Sequence, residues 1–465
     1  MKRNSFSLFS TITFFVSFLY FRIFALQTMS FQSDHEAVFR YSKDYILDHL
    51  FSFGGLAELI SGFIKQFYIN PWLGALALAI LMLSLAYRIF TMSQERVSIS
   101  IFLISVSSVY VTLVPNALVS VIALNVLIWT IEDQEEAQLP NWLWLFRGLA
   151  FPLLLWFIGS WSWIYVLLVI PWDILKRRKI TWVQLTFIAY TLLLALIAYR
   201  FIWPTSLSNI FLHHLPIHSI EGVIFLLVGL FSIFYSFLIR KKSVVIKTIL
   251  MLAAFITLLY GVLQVSYNPQ IRNERWRGLI KNEKYNKLIS LAETKAPQNK
   301  IQTVYLNYAL AKENRLLEDL FSFKQLYGSA GLMPNPHRDK NVRNIEEFWL
   351  IGQFYFENGY IDKAHRIATD ELVFSGFTPS YSILMIDCLL AGGHVNAAEK
   401  YIRQLGQTLF YKGKAKKYKQ LLNNTGALNA HYKSIRQHIP QKIKVIDYNP
   451  KENLLSILMQ NYKNP

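Results

Sequence analysis

Nine apolar segments recur along the first 266 residues, at 6–24, 72–90, 98–114, 117–131, 143–158, 163–175, 182–202, 223–238 and 244–265. A backbone buried in hydrocarbon has no water to bond to, so such segments fold as helices, each needing roughly 20 residues to cross. Several are shorter than that, notably the fourth and sixth, which implies tilt or re-entry. Both belong to tight hairpins, at Pro115-Asn116 and Gly159-Ser160, so losing either hairpin whole leaves the parity of crossings unchanged. The composition agrees with a membrane protein: 53% of residues are hydrophobic and only 16% charged, where about a quarter is usual for soluble domains.

Lys and Arg set an orientation. With the N-terminus inside, thirteen of them (Lys2, Arg3, Arg88, Arg96, Arg147, Lys176, Arg177, Arg178, Lys179, Arg240, Lys241, Lys242 and Lys247) fall on the cytoplasmic side. Only Arg22, Arg40, Lys43, Lys65 and Arg200 fall on the other, the bias expected of an inner-membrane protein. The loop 27–70, the loop 203–221 and everything after 266 are then extracytoplasmic. The opening segment carries Lys2-Arg3 like a signal peptide but has no small-residue cleavage site, so it is expected to remain as a span.

From 267 to 465 the hydropathy drops and helical patterns shorter than a span begin. Gly352 and Tyr355, followed by Gly359, Ala364 and Ala368, stand at the spacing of a tetratricopeptide repeat. Gly393 and Ala398 repeat Gly359 and Ala364 at an offset of 34 residues. A weaker unit at 305–321 fits if 327–341 is an insertion, and 276–296 supplies a preceding helix pair or cap. The expected fold is therefore all-α: a polytopic bundle of about nine spans (1–266, with interfacial helices in 27–70) followed by a soluble tetratricopeptide-like solenoid (267–465). This second part holds +12 of the formal +18 charge. No RNA-binding aromatic pattern accompanies its lysine run at 412–419, so nucleic acid is not an expected partner.

The loop 27–70 carries the candidate chemistry. Ser33-Asp34-His35-Glu36 opens it, and Asp34 or Glu36 fits a general base at the lipid surface or a holder of a divalent cation. Ser33 with Glu36 also makes a capping box, a reading compatible with the first. Gly54-Gly55 with Glu58 either shapes an anion-binding pocket or simply permits a turn, with Glu58 solvated beside Lys65. Leu56, Leu59, Ile60, Phe63, Ile64 and Phe67 recur at helical spacing, the pattern of an interfacial amphipathic helix. In the loop 203–221, His213, His214 and His218 lie near Arg200 and fit phosphate contact or metal ligation. Pro216 interrupts the His214/His218 spacing, so a solvated loop is the reading favoured there and no metal site is assigned. Gly159-Ser160-Trp161-Ser162-Trp163 is expected to form an aromatic belt. Cys388 is the sole cysteine, which excludes an internal disulfide and a multi-thiolate metal site.

Phe53-Gly54-Gly55-Leu56-Ala57-Glu58, with Gln66-Phe67-Tyr68 and Pro71-Trp72-Leu73-Gly74-Ala75, resembles a family of uncharacterised bacterial multi-pass membrane proteins with a helical C-terminal domain. More distantly, the layout is similar to the multi-pass glycosyltransferases of the GT-C class. That resemblance implies a polyprenyl-phosphate sugar donor and an acid in the first outer loop, where Asp34 and Glu36 stand. In the enzyme reading Arg200 neutralises phosphate, and no cofactor is expected beyond a divalent cation. The rival expectation is a non-catalytic scaffold that displays its repeat domain to an envelope protein. A transporter fits less well, because the spans hold almost no mid-membrane acid or base.

Overall fold

The computed structural model describes all residues except 1, 27–36, 93–96, 115, 132–141, 178–180, 204–205, 239–243, 268, 333–344 and 440–465. Among the described residues the chain is helical throughout, with no strand. It divides into two compact units, Met1–Ser33 with Phe39–Arg272, and Asp34–Val38 with Asn273–Pro465.

Four stretches of the first unit are long and apolar enough to cross a membrane: Pro71–Met92, Trp144–Pro171, Trp182–Ile202 and Val245–Ser266. Phe9–Ala25, Val97–Leu113, Ala117–Thr130 and Ile220–Tyr235 are apolar but shorter. The helix Val97–Leu113 lies at the centre, packed by Pro71–Met92, Ile220–Leu238 and Val244–Tyr267. Its sequence explains that position: Ser98, Ser100, Ser105, Ser107 and Ser108 are all buried, and small residues let apolar helices approach closely. Ser105 and Ser107 donate to the carbonyls of Ile101 and Leu103 one turn back, so their hydroxyls enter the core without an unmet bond. On the facing helix, a Cβ at Gly261 would stand 2.6 Å from Val109. By contrast, Leu252, Phe255 and Ile256 of that same helix are exposed.

Trp144–Pro171 is not one straight helix. Gly159 adopts φ 58, and Phe151 meets Trp163 edge-on at 5.3 Å between ring centroids. Twelve residues of continuous helix would hold those rings about 18 Å apart, so the chain turns back at Gly159–Trp161.

The second unit is built from helix hairpins, Ile345–Glu357 with Ile361–Ser375 and Pro379–Ala391 with Val395–Gly406 among them. Their turns close alike, with Tyr360 N–H donating to the Tyr355 carbonyl at 2.9 Å and His394 N–H to that of Leu389 at 2.7 Å. Gly359 and Gly393 hold left-handed backbone just before each closing residue, at φ 77 and 81. Two earlier turns share this design, Lys284 to Leu279 and Arg315 to Leu310, with Glu283 (φ 54) and Asn314 (φ 55) in the glycine's place. Such a bond from five residues on satisfies a helix-end carbonyl. Ala364, Ala368 and Ala398 are fully buried between helices and Tyr355 is nearly so. At Gly352 a Cβ would stand 2.7 Å from Leu384. Ala398→Phe is therefore expected to overpack this core at a cost of about 1–3 kcal/mol, read as a lowered melting temperature of the detergent-solubilised protein; an unchanged melt would disprove this packing.

Candidate functional site

The site forms inside the first unit where three loops meet. After the helix Lys43–Leu50, the chain turns through Phe51-Ser52-Phe53 to Gly54, which is left-handed at φ 68 and caps the helix Gly55–Lys65. That turn leaves no room for a side chain at Gly55, where a Cβ would fall 1.7 Å from the His49 carbonyl oxygen. One turn on, Glu58 points to His214, and its Oε1 lies 3.1 Å from the imidazole Nε2. The two residues are 156 apart in sequence.

His214 is boxed in. A Cβ at Gly54 would lie 2.6 Å from its ring, and one at Gly159 would lie 2.4 Å from its Nδ1. Trp161, fully buried, donates its indole N–H to the His214 carbonyl at 2.8 Å. Trp163 does the same to Ile210 at 3.1 Å, and Ser160 donates to Asn209 at 3.0 Å. The Gly-Ser-Trp-Ser-Trp stretch is thus a clamp on the histidine loop, where the sequence suggested an aromatic belt. Phe53 stacks obliquely on His214 at 5.5 Å and edge-on to Trp203 at 5.4 Å. Trp203 in turn donates to the Phe51 carbonyl at 2.8 Å. An open groove of about 480 Å³ lies beside this aromatic wall, lined by Leu47, Asp48, Phe51, Ser52, Phe53, Ile202 and Trp203.

The electrostatics favour an ionised acid. Burial works to raise Glu58, but the hydrogen bond from His214 and the fields of His214, His49 and His213 outweigh it, and its carboxyl sits below its ordinary value. An ionised carboxylate has no proton to give, so Nε2 of His214 carries it. Nδ1 is buried and has no hydrogen-bond partner. His213 is exposed; partial burial and the adjoining His214 ring hold it below the usual imidazole value, against the pull of Glu58. Neutral pH therefore finds an accessible, uncharged imidazole beside a carboxylate. Glu58, His213 and His214 bring one ligand atom each to within 4.8 Å of the others.

Of the residues singled out from sequence, Gly54, Gly55, Glu58 and His214 come together here. Lys65 does not: at the other end of its helix it donates to Asn116 at 2.7 Å. Arg200 is exposed on the π-helical turn Ala198–Ile202, with no described bond to Glu58 or His214. Asp34 and Glu36 lie outside the described residues. Gly159 and Trp161 belong to the site although sequence spacing gave them no role in it.

The chain belongs to the family of unknown function DUF6057, whose family model matches residues 2–465. Neither the curated proteins nor the solved structures include a match to it.

Proposed function

We propose that this member of DUF6057 is an enzyme of the cell envelope that acts at the membrane surface on a lipid-linked substrate, with Glu58 as its base. The observation that supports this most is the contact between Glu58 and His214, joined across the fold, fixed by two glycines and set beside a groove. His214 holds the carboxylate oriented and ionised; Glu58, less buried than its partner, takes a proton from an acceptor hydroxyl. Transfer of a sugar from a polyprenyl-phosphate donor fits such a base, since the lipid phosphate leaves as a stable anion. In this reading nine crossings place the loops around residues 54, 116, 159 and 214 on the extracytoplasmic side of an inner membrane. The bonds among those loops, Lys65 to Asn116 and Trp161 to His214, support one common side.

The helix Gly55–Lys65 supports a membrane-surface location. It buries Gly55, Ala57 and Ser61 against the bundle while Phe63 stays 42% exposed. Small residues toward protein and aromatic residues outward suit lipid as the outer solvent. A second reading, a scaffold whose tetratricopeptide-like hairpins bind an envelope protein, is favoured by the separate core of the second unit.

Glu58→Gln keeps the shape and an acceptor for His214 and removes the base. It is expected to fail to complement a deletion at normal protein abundance, with polyprenyl-linked sugars accumulating in lipid extracts. Asp34→Asn and Glu36→Gln, tested alongside, report whether the first acids of the loop share the role. Full complementation by Glu58→Gln defeats the acid–base reading; if deletion of 273–465 alone abolishes function, the scaffold stands.

A further inference from the structure

We propose that Glu58, His213 and His214 form a binding site for a divalent transition metal of the zinc type, held by three protein ligands with a further coordination position open to solvent or substrate; with the ion bound Glu58 is a ligand, so this occupancy replaces its role as a free base. Three donors of the right chemistry, two imidazoles and a carboxylate, converge from two distant segments to within 4.8 Å of one another. Two nitrogens and one carboxylate oxygen are a ligand set that catalytic zinc sites use, the remaining position being left for water or substrate. One pair of the three already stands at ligand spacing. Ligands at about 2.0–2.2 Å from zinc stand roughly 3.0 Å apart at a right angle and roughly 3.4 Å apart at the tetrahedral angle. The Glu58 and His214 atoms lie between those limits at 3.1 Å.

Preorganisation points the same way. The close glycines box the His214 ring and the Trp161 bond holds its backbone before any ligand arrives, so little ordering cost remains at binding. Coordination moves the Nε2 proton to the buried Nδ1, which has no partner, and exchanges the hydrogen bond between Nε2 and Glu58 for a bond from each atom to the ion. His213 follows directly in the chain, its ring 4.7 Å from that of His214 and inclined at 76°, which lets two consecutive residues approach one ion from different directions. Its exposure gives the ion a way in. His218 is four residues beyond His214 but is not among the converging donors.

The test uses the full-length protein in detergent, stripped with EDTA and titrated with Zn²⁺ by calorimetry, with Co²⁺ as a visible-absorbing substitute. The expected result is about one zinc ion per chain, as three protein ligands and one ion require. Glu58→Gln and His213→Ala should each weaken binding beyond the roughly 10- to 100-fold that loss of an outer-shell partner costs. Both keep the buried His214 in place, and His213 is exposed, so the fold is not at risk. His218→Ala should bind as wild type does. Zinc uptake no greater than that of a Glu58→Gln/His213→Ala/His214→Gln triple variant overturns the proposal, as does unchanged affinity in His213→Ala or lost affinity in His218→Ala. Metal binding and complementation are separate readouts. A wild-type protein without zinc whose Glu58→Gln form fails to complement loses the metal site and keeps the acid–base role; zinc binding with full complementation by Glu58→Gln gives the reverse.

Discussion

Gly159→Ala is expected to abolish the function of the protein while leaving most of its fold in place. The added Cβ would stand 2.4 Å from Nδ1 of His214 and 3.2 Å from Phe53. Gly159 also sits at φ 58, where an L side chain costs about 1–2 kcal/mol. The backbone can bear that cost; the contact it cannot keep. The obstructing atoms belong to a side chain, so the imidazole is pushed away from Gly159 and its contact with Glu58 is disturbed. A Cβ at Gly54 would stand 2.6 Å from the same ring, so Gly54→Ala should act in the same way. A control lies nearby in the same hairpin: a Cβ at Gly148 meets nothing within 4 Å, so Gly148→Ala should match wild type. Complementation at equal abundance, with zinc uptake as the second readout, decides the matter. If Gly159→Ala complements fully and binds zinc as wild type does, the boxed imidazole is not part of the working site.

The same residues show how far the sequence could be read. Glu58 and His214 each stood out locally, one after a double glycine and one in a histidine cluster, but their meeting spans 156 residues. Periodicity carries no information about such contacts. Gly159 and Trp161 were hidden for a related reason, since a tryptophan in an apolar segment looks the same whether it lines a lipid interface or holds a loop by its indole N–H. In the second unit the 34-residue offset between Gly359 and Gly393 was visible because glycine marks a left-handed turn. Glu283 and Asn314 make that turn without glycine, and their hairpins left only a faint trace. On the helix Gly55–Lys65 the apolar period was legible, but the most buried positions are the small ones, Ala57 and Ser61, while Ile60 and Ile64 are only partly buried against the same core. Period alone does not say that small side chains allow the closest helix approach.

The second large effect is expected at Asp387. Its Oδ1 accepts the hydroxyls of Tyr418 at 2.8 Å and Tyr432 at 2.7 Å, tying the helices Pro379–Ala391, Lys412–Leu422 and Thr425–Gln437 to one atom. Both tyrosines are buried, and that burial, followed by the neighbouring Asp387 carboxylate, pushes their own titration far upward. Asp387→Leu leaves two hydroxyls without an acceptor at about 1–3 kcal/mol each, so this part of the unit should lose about 2–6 kcal/mol. Asp387→Asn keeps an acceptor oxygen and should lose much less. The pH dependence has a definite sign. Asp387 keeps some surface, yet the helices packed round it raise its carboxyl despite the opposing pull of the two hydroxyls, Lys414 and His431. The folded state thus holds the proton more tightly than the unfolded chain, whose carboxyl titrates near ~3.9. The stability contributed by the protonated form is complete below that value and is lost as pH rises through the folded one. Hydrogen exchange of the Pro379–Ala391 amides, corrected for intrinsic rate, measures it locally. Wild type should lose protection relative to Asp387→Asn as pH climbs out of the acid range. A difference that stays flat, or that grows in favour of wild type, would show that the two tyrosine hydroxyls outweigh burial and keep Asp387 ionised in the folded protein.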